Sequence, residues 1–303
     1  MTGDGVYNGL KQFIKGRMVL AEPMSKHTSW RIGGPADCLL EPADRDDLRL
    51  ALAYARRHGL PVAVVGNGTN LLVSDKGIRG LVLKLGPGLG ELDVRAGAVY
   101  AGAGVPLPRL ANRALRAELA GFEFLAGIPG TVGGALLMNA GANGCSMGER
   151  VSRVDALDLA GDELVFTKTQ LDFTYRKSCL SCRKVIITGA LFSGVPGAKE
   201  KIKSRMEEYQ SRRRSTQPLE LPNAGSVFKN PPGDSAGRLI EQAGCKEMRV
   251  GAIQVSPRHA NFFVNLGGGT AGDVMQLVEM VRRQVQERCG LKLLMEVQRL
   301  GEF

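Results

Sequence analysis

The feature that most constrains this chain is a glycine-rich loop set directly between two apolar runs. Val62-Ala63-Val64-Val65 reads as a short β-strand, opens into Gly66-Asn67-Gly68-Thr69-Asn70, and resumes as Leu71-Leu72-Val73 before a turn at Ser74-Asp75. A second tract, Gly127-Ile128-Pro129-Gly130-Thr131-Val132-Gly133-Gly134, runs on to Met138-Asn139-Ala140-Gly141-Ala142. Glycine lets successive backbone N–H groups converge on an anion with no side chain in the way. One such loop alone is most simply a tight turn. Two of them, with Asn and Thr interspersed, point to a phosphate-bearing ligand. Neither is a P-loop, because no Gly-Lys-Ser/Thr occurs, and Leu71 stands where the third glycine of a Rossmann fingerprint belongs. A dinucleotide would need another architecture.

The surrounding pattern is mixed α and β. Asp44 and Asp47 form a capping pair ahead of a helix over 45–58, with Leu48, Leu52 and Ala55 as its apolar stripe and Gly59 and Pro61 as its stop. Residues 81–85 and 92–101 read as strands, 106–119 as a helix, and 151–159, 163–167 and 184–192 as further strands. Composition shifts near Val195-Pro196-Gly197, which reads as a linker, and a charged helix follows over about 198–213. Beyond it are a short helix over 234–243, capped by Asp234, and a long one over 271–289, ended by Gly290. A last strand spans 291–299, with Leu291, Leu293, Met295 and Val297 on one face and Glu296 on the other; it can return to pack on the first part of the chain.

The formal net charge of +10 admits nucleic acid, an anionic membrane surface or polyanionic small ligands. Basic residues occur only in short runs and are not interleaved with aromatics, which argues against nucleic acid. No segment approaches the ~18 apolar residues of a membrane span. No apolar run near the N-terminus suits a secretory signal, so a cytoplasmic protein is expected. The six cysteines are irregularly spaced, and Cys179-x-x-Cys182 is one pair with only His27, His58 and His259 to complete a site. Free thiols are expected rather than a metal or a redox dithiol.

Longer motifs carry a specific resemblance. The tract from Gly66 to Asp75 resembles the first flavin loop of the UDP-N-acetylenolpyruvoylglucosamine reductases, and Gly127 to Ala142 resembles their second. Arg31-Ile32-Gly33-Gly34-Pro35 is similar to the family's entry to its flavin domain; Phe173-x-Tyr175-Arg176-x-Ser178 resembles its Tyr-Arg motif. Ala224-Gly225-Ser226-Val227-Phe228-Lys229-Asn230-Pro231 resembles its serine loop, and Glu296 matches its C-terminal glutamate. The likeness spans about residues 19–303, and the serine loop and Tyr-Arg motif are its most specific parts. It implies an α+β chain with a vanillyl-alcohol-oxidase/PCMH-type FAD-binding fold in two subdomains, 1–80 and 81–194, plus an α+β substrate-binding C-terminal domain, 195–303. Residues 231–260 contain no tyrosine, as in the family subtype that lacks a tyrosine-bearing lid.

The resemblance implies reduction of an enolpyruvyl ether of a UDP-sugar to a lactyl ether, in cytoplasmic peptidoglycan precursor synthesis. Hydride passes from NADPH through non-covalent FAD to the vinyl carbon C3, and a proton must then reach C2. On that reading Arg176 stabilises the developing enolate and carboxylate charge. Ser226 delivers the proton, and Glu296, if burial raises its pKa and keeps it protonated, donates to the substrate carboxylate. Gly66, Asn67, Gly68, Thr69 and Asn70 are the cofactor-binding candidates of the first loop. Gly127, Ile128, Gly130, Thr131, Gly133, Asn139 and Gly141 are those of the second. Tyr175, Gln217, Lys229 and Asn230 are expected on the substrate, and His259 is taken as structural. No metal is expected, and the enzyme is expected to be a monomer or a weak oligomer. Taken one at a time, Arg176 equally suits a surface ion pair, Ser226 a turn and Glu296 a solvated strand. Two further readings stay open here: an oxidase of the same flavin fold, and a colourless nucleotide- or nucleic-acid-binding module whose binding falls steeply with salt.

Overall fold

The computed structural model describes residues 3–95 and 97–303. The chain divides into two compact units, one of residues 1–20, 38–67 and 80–212, the other of 21–37, 68–79 and 213–303.

The first unit is built on a five-stranded antiparallel sheet in the order Glu163–Thr167, Val151–Asp158, Val185–Ser193, Ala98–Gly102, Leu92–Arg95. The strand expected over 92–101 is therefore a hairpin; Gly97 supplies φ +79° in its turn, and Ala96 lies outside the described residues. Helix Leu107–Arg116 buries Leu107, Leu110, Ala111 and Ala114 in the same core as Val99, Phe122 and Phe192. Helix Arg45–Arg57 begins as the spacing predicts: Asp44 Oδ1 accepts Asp47 N–H at 2.8 Å. Asp47 does more than expected. It is fully buried, and its carboxylate accepts the amides of Lys15 (2.9 Å), Gly16 (2.8 Å) and Ala43 (2.9 Å). Strand Val62–Val65, which launches the first glycine loop, pairs in parallel with residues 81–84. Val195–Pro196, expected as a linker, pairs instead with Leu119–Ala120. Helix Lys199–Thr216 follows, ending three residues later than expected and burying only Ile202 and Met206.

The second unit packs helix Ala271–Cys289 against a three-stranded antiparallel sheet of Arg249–Val250, Ile253–Val255 and Phe263–Asn265. Val274, Leu277, Val278, Val281 and Val285 line the buried face, each contributing about 1.5–3 kcal/mol relative to exposure. Thr270 and Asp273 form a capping box, Asp75 accepts the amides of Ala271 (2.8 Å) and Gly272 (3.0 Å), and Gly290 ends the helix at φ +69°.

Two expectations are corrected here. Helix Ala236–Gln242 is capped by Ser235, whose Oγ accepts Arg238 N–H at 3.2 Å. The Asp234 carboxylate is drawn away to the Arg238 guanidinium, with Nε at 2.7 Å. The strand expected over 291–299 shrinks to Gln298–Leu300, which pairs in parallel with Leu71–Val73. The apolar alternation upstream has only one isolated bridge, Met295 to Phe228, and Leu294 is 64% exposed. Glu296 and Val297 are both buried, so the two-faced pattern is not kept.

Candidate functional site

The glycine loops meet within the first unit. Gly66 leaves strand Val62–Val65 so close to Thr131 that a Cβ on it would lie 2.5 Å from the Thr131 hydroxyl. Thr131 stands at the cap position of helix Val132–Leu137, yet its Oγ1 caps nothing: it is buried and has no hydrogen-bond partner. A buried hydroxyl left unsatisfied is uncommon and costs about 1–3 kcal/mol. Gly127 closes the 3-10 helix Glu123–Gly127, half-buried Ile128 follows, and Leu107 N–H donates to Gly130 O at 2.9 Å. Gly133 donates to Ala103 O at 2.9 Å, with a Cβ there only 3.0 Å from that of Ala103. Gly141 lies in the short pair Gly141–Ala142 with Cys145–Ser146. Burial pushes the Cys145 thiol up, with Glu149 next in importance, so this cysteine is a poor nucleophile.

Past Asn67 the first loop belongs to the second unit. Gly68 (φ +63°) is pressed against the backbone of His27, and Ser29 N–H donates to its carbonyl at 3.2 Å. Among the described residues the amides of Asn67, Gly68 and Thr69 donate to no protein acceptor. Amides in a row with no internal partner suit an anionic ligand. The unpaired amides of the first loop and, on the second, the orphaned Thr131 hydroxyl each suit a dinucleotide diphosphate.

The Tyr-Arg motif is docked on the second glycine tract. Asn139 (φ +45°, buried) donates from Nδ2 to Thr174 O at 2.9 Å and accepts Gly148 N–H at 2.9 Å. Arg176 (φ +54°) donates from Nη1 to Gly141 O at 3.2 Å, and Ser178 Oγ donates to Leu137 O at 2.8 Å. Tyr175 is 56% exposed, with the Arg176 guanidinium 5.3 Å from its ring centroid.

The serine loop and Glu296 come together in the second unit. Ser226 bridges Phe262, Val227 N–H donates to Asn261 O at 2.8 Å, and Glu296 N–H donates to Val227 O at 2.8 Å. Asn261, buried, accepts Phe228 N–H at 2.9 Å and donates to Phe228 O at 2.8 Å. Lys229 N–H donates to Leu294 O at 2.8 Å, and exposed Asn230 accepts Ala236 N–H at 3.0 Å. Asn70 joins this group, donating to Glu296 O at 3.3 Å. Glu296 is 7% exposed. Gln217 lies just past helix Lys199–Thr216, with a buried Oε1 that accepts no protein hydrogen bond. His259 packs against Phe262 in a tilted arrangement, ring centroids 4.6 Å apart, and burial lowers its pKa. Asn261 escaped sequence reasoning, since one asparagine in an apolar run carries no pattern. The buried pair of Glu22 and His27 escaped it too, because its members are joined only by the local fold.

None of the six cysteines is in a disulfide, and among the described residues no group of three or more His, Cys, Asp or Glu side chains is placed to hold a metal. No helix among those residues is long and apolar enough to cross a membrane.

Known proteins align with this arrangement over nearly its whole length. A family model described as the C-terminal domain of UDP-N-acetylenolpyruvoylglucosamine reductase matches residues 217–300, and one described as an FAD binding domain matches 36–167. The UDP-N-acetylenolpyruvoylglucosamine reductase of Desulforamulus reducens is 47% identical over 294 residues, covering 97% of each chain. That of Caldanaerobacter subterraneus is 46% identical, with 97% of each chain covered. Among solved structures, the UDP-N-acetylenolpyruvylglucosamine reductase of Thermus caldophilus superposes with a TM-score of 0.82 at 38% identity, covering 95% of this chain and all of that one.

Proposed function

Because the chain belongs to the UDP-N-acetylenolpyruvoylglucosamine reductase family, we propose that Ser226, Arg176 and Glu296 are the groups with which it carries out that family's reaction. It is an FAD-dependent oxidoreductase of α+β, PCMH-type fold that reduces UDP-N-acetylenolpyruvoylglucosamine to UDP-N-acetylmuramate with NADPH, in peptidoglycan precursor synthesis. The observation that carries the assignment is the backbone clamp that sets the Ser226 loop beside Glu296.

The hydride relay from NADPH to vinyl carbon C3 is the chemistry that FAD supplies when bound. Its diphosphate would be met by the amides of Asn67, Gly68 and Thr69 on the first loop; on the second, the Thr131 hydroxyl would offer a further group, and Asn139 fixes that tract through its own hydrogen bonds. Hydride addition at C3 leaves an electron pair on C2, delocalised into the carboxylate. The Arg176 guanidinium stabilises that charge, and its bond to Gly141 O limits where it can reach. Ser226 transfers its hydroxyl proton to C2 on the face opposite the arriving hydride, completing net addition of H2 across the double bond, and solvent reprotonates the serine. Burial of Glu296 suits a carboxyl that donates to the substrate carboxylate. Lys229 and Asn230 bind the UDP diphosphate, Gln217 offers its unpartnered carbonyl to the same ligand, and Tyr175 borders the site where NADPH and the UDP-sugar bind in turn. The flavin is non-covalent, a reading supported by the absence of histidine from both loops and by burial raising the pKa of the Cys145 thiol. The protein works in the cytoplasm, in keeping with cysteines that form no disulfide, as a monomer or weak oligomer.

The test is an anaerobic absorption experiment on Ser226→Ala. NADPH is expected to bleach the flavin at the wild-type rate, while reoxidation by the UDP-sugar slows by about 10²–10⁴. Equal slowing of both steps would remove Ser226 from the proton-donor role. A flavin that returns only with oxygen would favour an oxidase.

A further inference from the structure

Next to the end of the first glycine loop lie two buried ionisable groups that this chemistry does not use. Glu22, near the end of strand Arg17–Pro23, is 6% exposed, and His27, closing the 3-10 helix Met24–His27, is 9% exposed. His27 Nε2 lies 3.1 Å from Glu22 Oε1, and Lys26 Nζ, on an exposed side chain, lies 3.4 Å from Oε2. The bond to His27 is the largest cause holding the Glu22 carboxyl below its usual range; burial opposes it and Lys26 assists. A buried carboxylate is tolerated only when paired, so the bond fixes where His27 sits.

His27 in turn defines the surface on which Gly68 rests. A Cβ on Gly68 would lie 2.0 Å from His27 O and 2.9 Å from Thr28 Cα, so the two backbones touch with nothing between them. The rest of the segment is braced. Met24 and Ser25 amides donate to Gly34 O (3.0 Å) and Gly33 O (3.1 Å), and Thr28 Oγ1 donates to Ile32 O at 2.7 Å. A shift of His27 therefore passes to the Gly68 backbone, whose amide belongs to the row assigned above to the diphosphate.

We propose that the Glu22–His27 pair is a positioning device for the first glycine loop, setting the loop's amides and thereby the affinity for a dinucleotide diphosphate. This rests on the flavin reading of the preceding subsection. Besides His27, Lys26 is the charged group that acts on Glu22, and the facing stretch Gly68-Thr69-Asn70 carries no charged side chain.

The test is titration of apoprotein with FAD, read by flavin fluorescence, across pH. His27→Leu strands the carboxylate and is expected to weaken FAD binding at least tenfold, while His27→Gln, which keeps a hydrogen bond to Glu22, stays within a few-fold of wild type. Adding Glu22→Gln to His27→Leu removes the stranded charge and is expected to recover part of the loss. The pH sign follows from Glu22: its folded pKa is lowered, so its contribution is full above the ordinary carboxylate range and is lost as pH falls through the lowered value. Wild-type affinity should drop there, and Glu22→Gln should abolish that step. Wild-type affinity in folded His27→Leu, or equal losses in the Leu and Gln variants, would overturn the inference. Should His27→Leu not fold, the pH step in wild type and its absence in Glu22→Gln decide the matter, and a step that persists overturns it. A wild-type protein that takes up no FAD at any pH would overturn the flavin reading itself, and this inference with it.

Discussion

The Tyr-Arg turn and the serine loop each carry proposed catalytic groups, but they are held differently. Thr174 to Ser178 is fastened to the second glycine tract by side chains: Asn139 to Thr174 O, Arg176 to Gly141 O and Ser178 to Leu137 O. Two of these anchors, Asn139 and Arg176, sit in the left-handed region, where a non-glycine residue is strained by about 1–2 kcal/mol. Ser226 to Lys229 is fastened chiefly by backbone, bridging Phe262 on one side and Met295 on the other, with Asn261 as a side-chain clamp. A backbone ladder tolerates many side chains at its positions; a side-chain-anchored turn is as specific as its anchors. The turn is where a few residues decide the geometry, and strain stored there is compatible with a functional site.

At the Tyr-Arg turn the largest expected effect comes from Arg176→Gly. Glycine relieves the left-handed strain at φ +54° while removing the guanidinium. Turnover of the UDP-sugar should fall about 10²–10³-fold with the urea unfolding midpoint nearly unchanged. If activity fell only in step with stability, the turn would be scaffold and the contrast with the serine loop would lose its functional meaning.

A smaller effect separates the two clamps through their asparagines. Asn139→Ala and Asn261→Ala each strand a backbone N–H and a C=O, at a cost of roughly 2–3 kcal/mol by urea denaturation. Their glycine variants should then part company. Asn139→Gly should be about 1 kcal/mol more stable than Asn139→Ala, because φ is +45° there. Asn261→Gly should be about 0.5–1 kcal/mol less stable than Asn261→Ala, because Asn261 is not in the left-handed region and glycine adds only entropy to the unfolded chain. The same ordering at both sites would break the distinction.

Local signals made much of this fold legible. The Asp44 cap, the apolar stripe of Ala271–Cys289 and its Gly290 stop are interactions within a few residues, and such periodicities survive folding. The site residues were legible through motif resemblance, because Ser226 or Glu296 alone carries no signature. What escaped depends on long-range pairing. Residues 291–294 alternate like a strand but find no ladder, while Asp47 collects amides from chain some thirty residues earlier. The left-handed conformation of Arg176 was equally hidden, since nothing in its residue type announces φ > 0.

The smallest effect concerns the helix that follows the serine loop, tied to it through Asn230 Oδ1 and Ala236 N–H. Two neighbours compete for its cap. Ser235 accepts Arg238 N–H, whereas Asp234 pairs with the Arg238 guanidinium and the Ser235 amide, which bring its carboxyl down to about 2. Ser235→Ala should destabilise by about 1 kcal/mol, the ordinary value of a lost cap. Asp234→Asn should leave the neutral-pH unfolding midpoint where it was, because an exposed ion pair is screened by solvent and salt. The Asp234 contribution, full above the ordinary aspartate range, should fade only as pH falls toward 2, since its folded pKa is the lowered one. Should Asp234→Asn prove the more damaging at neutral pH, the cap would belong to Asp234 in solution, and the Asn230 tie would hold the helix start in a different register from the one described.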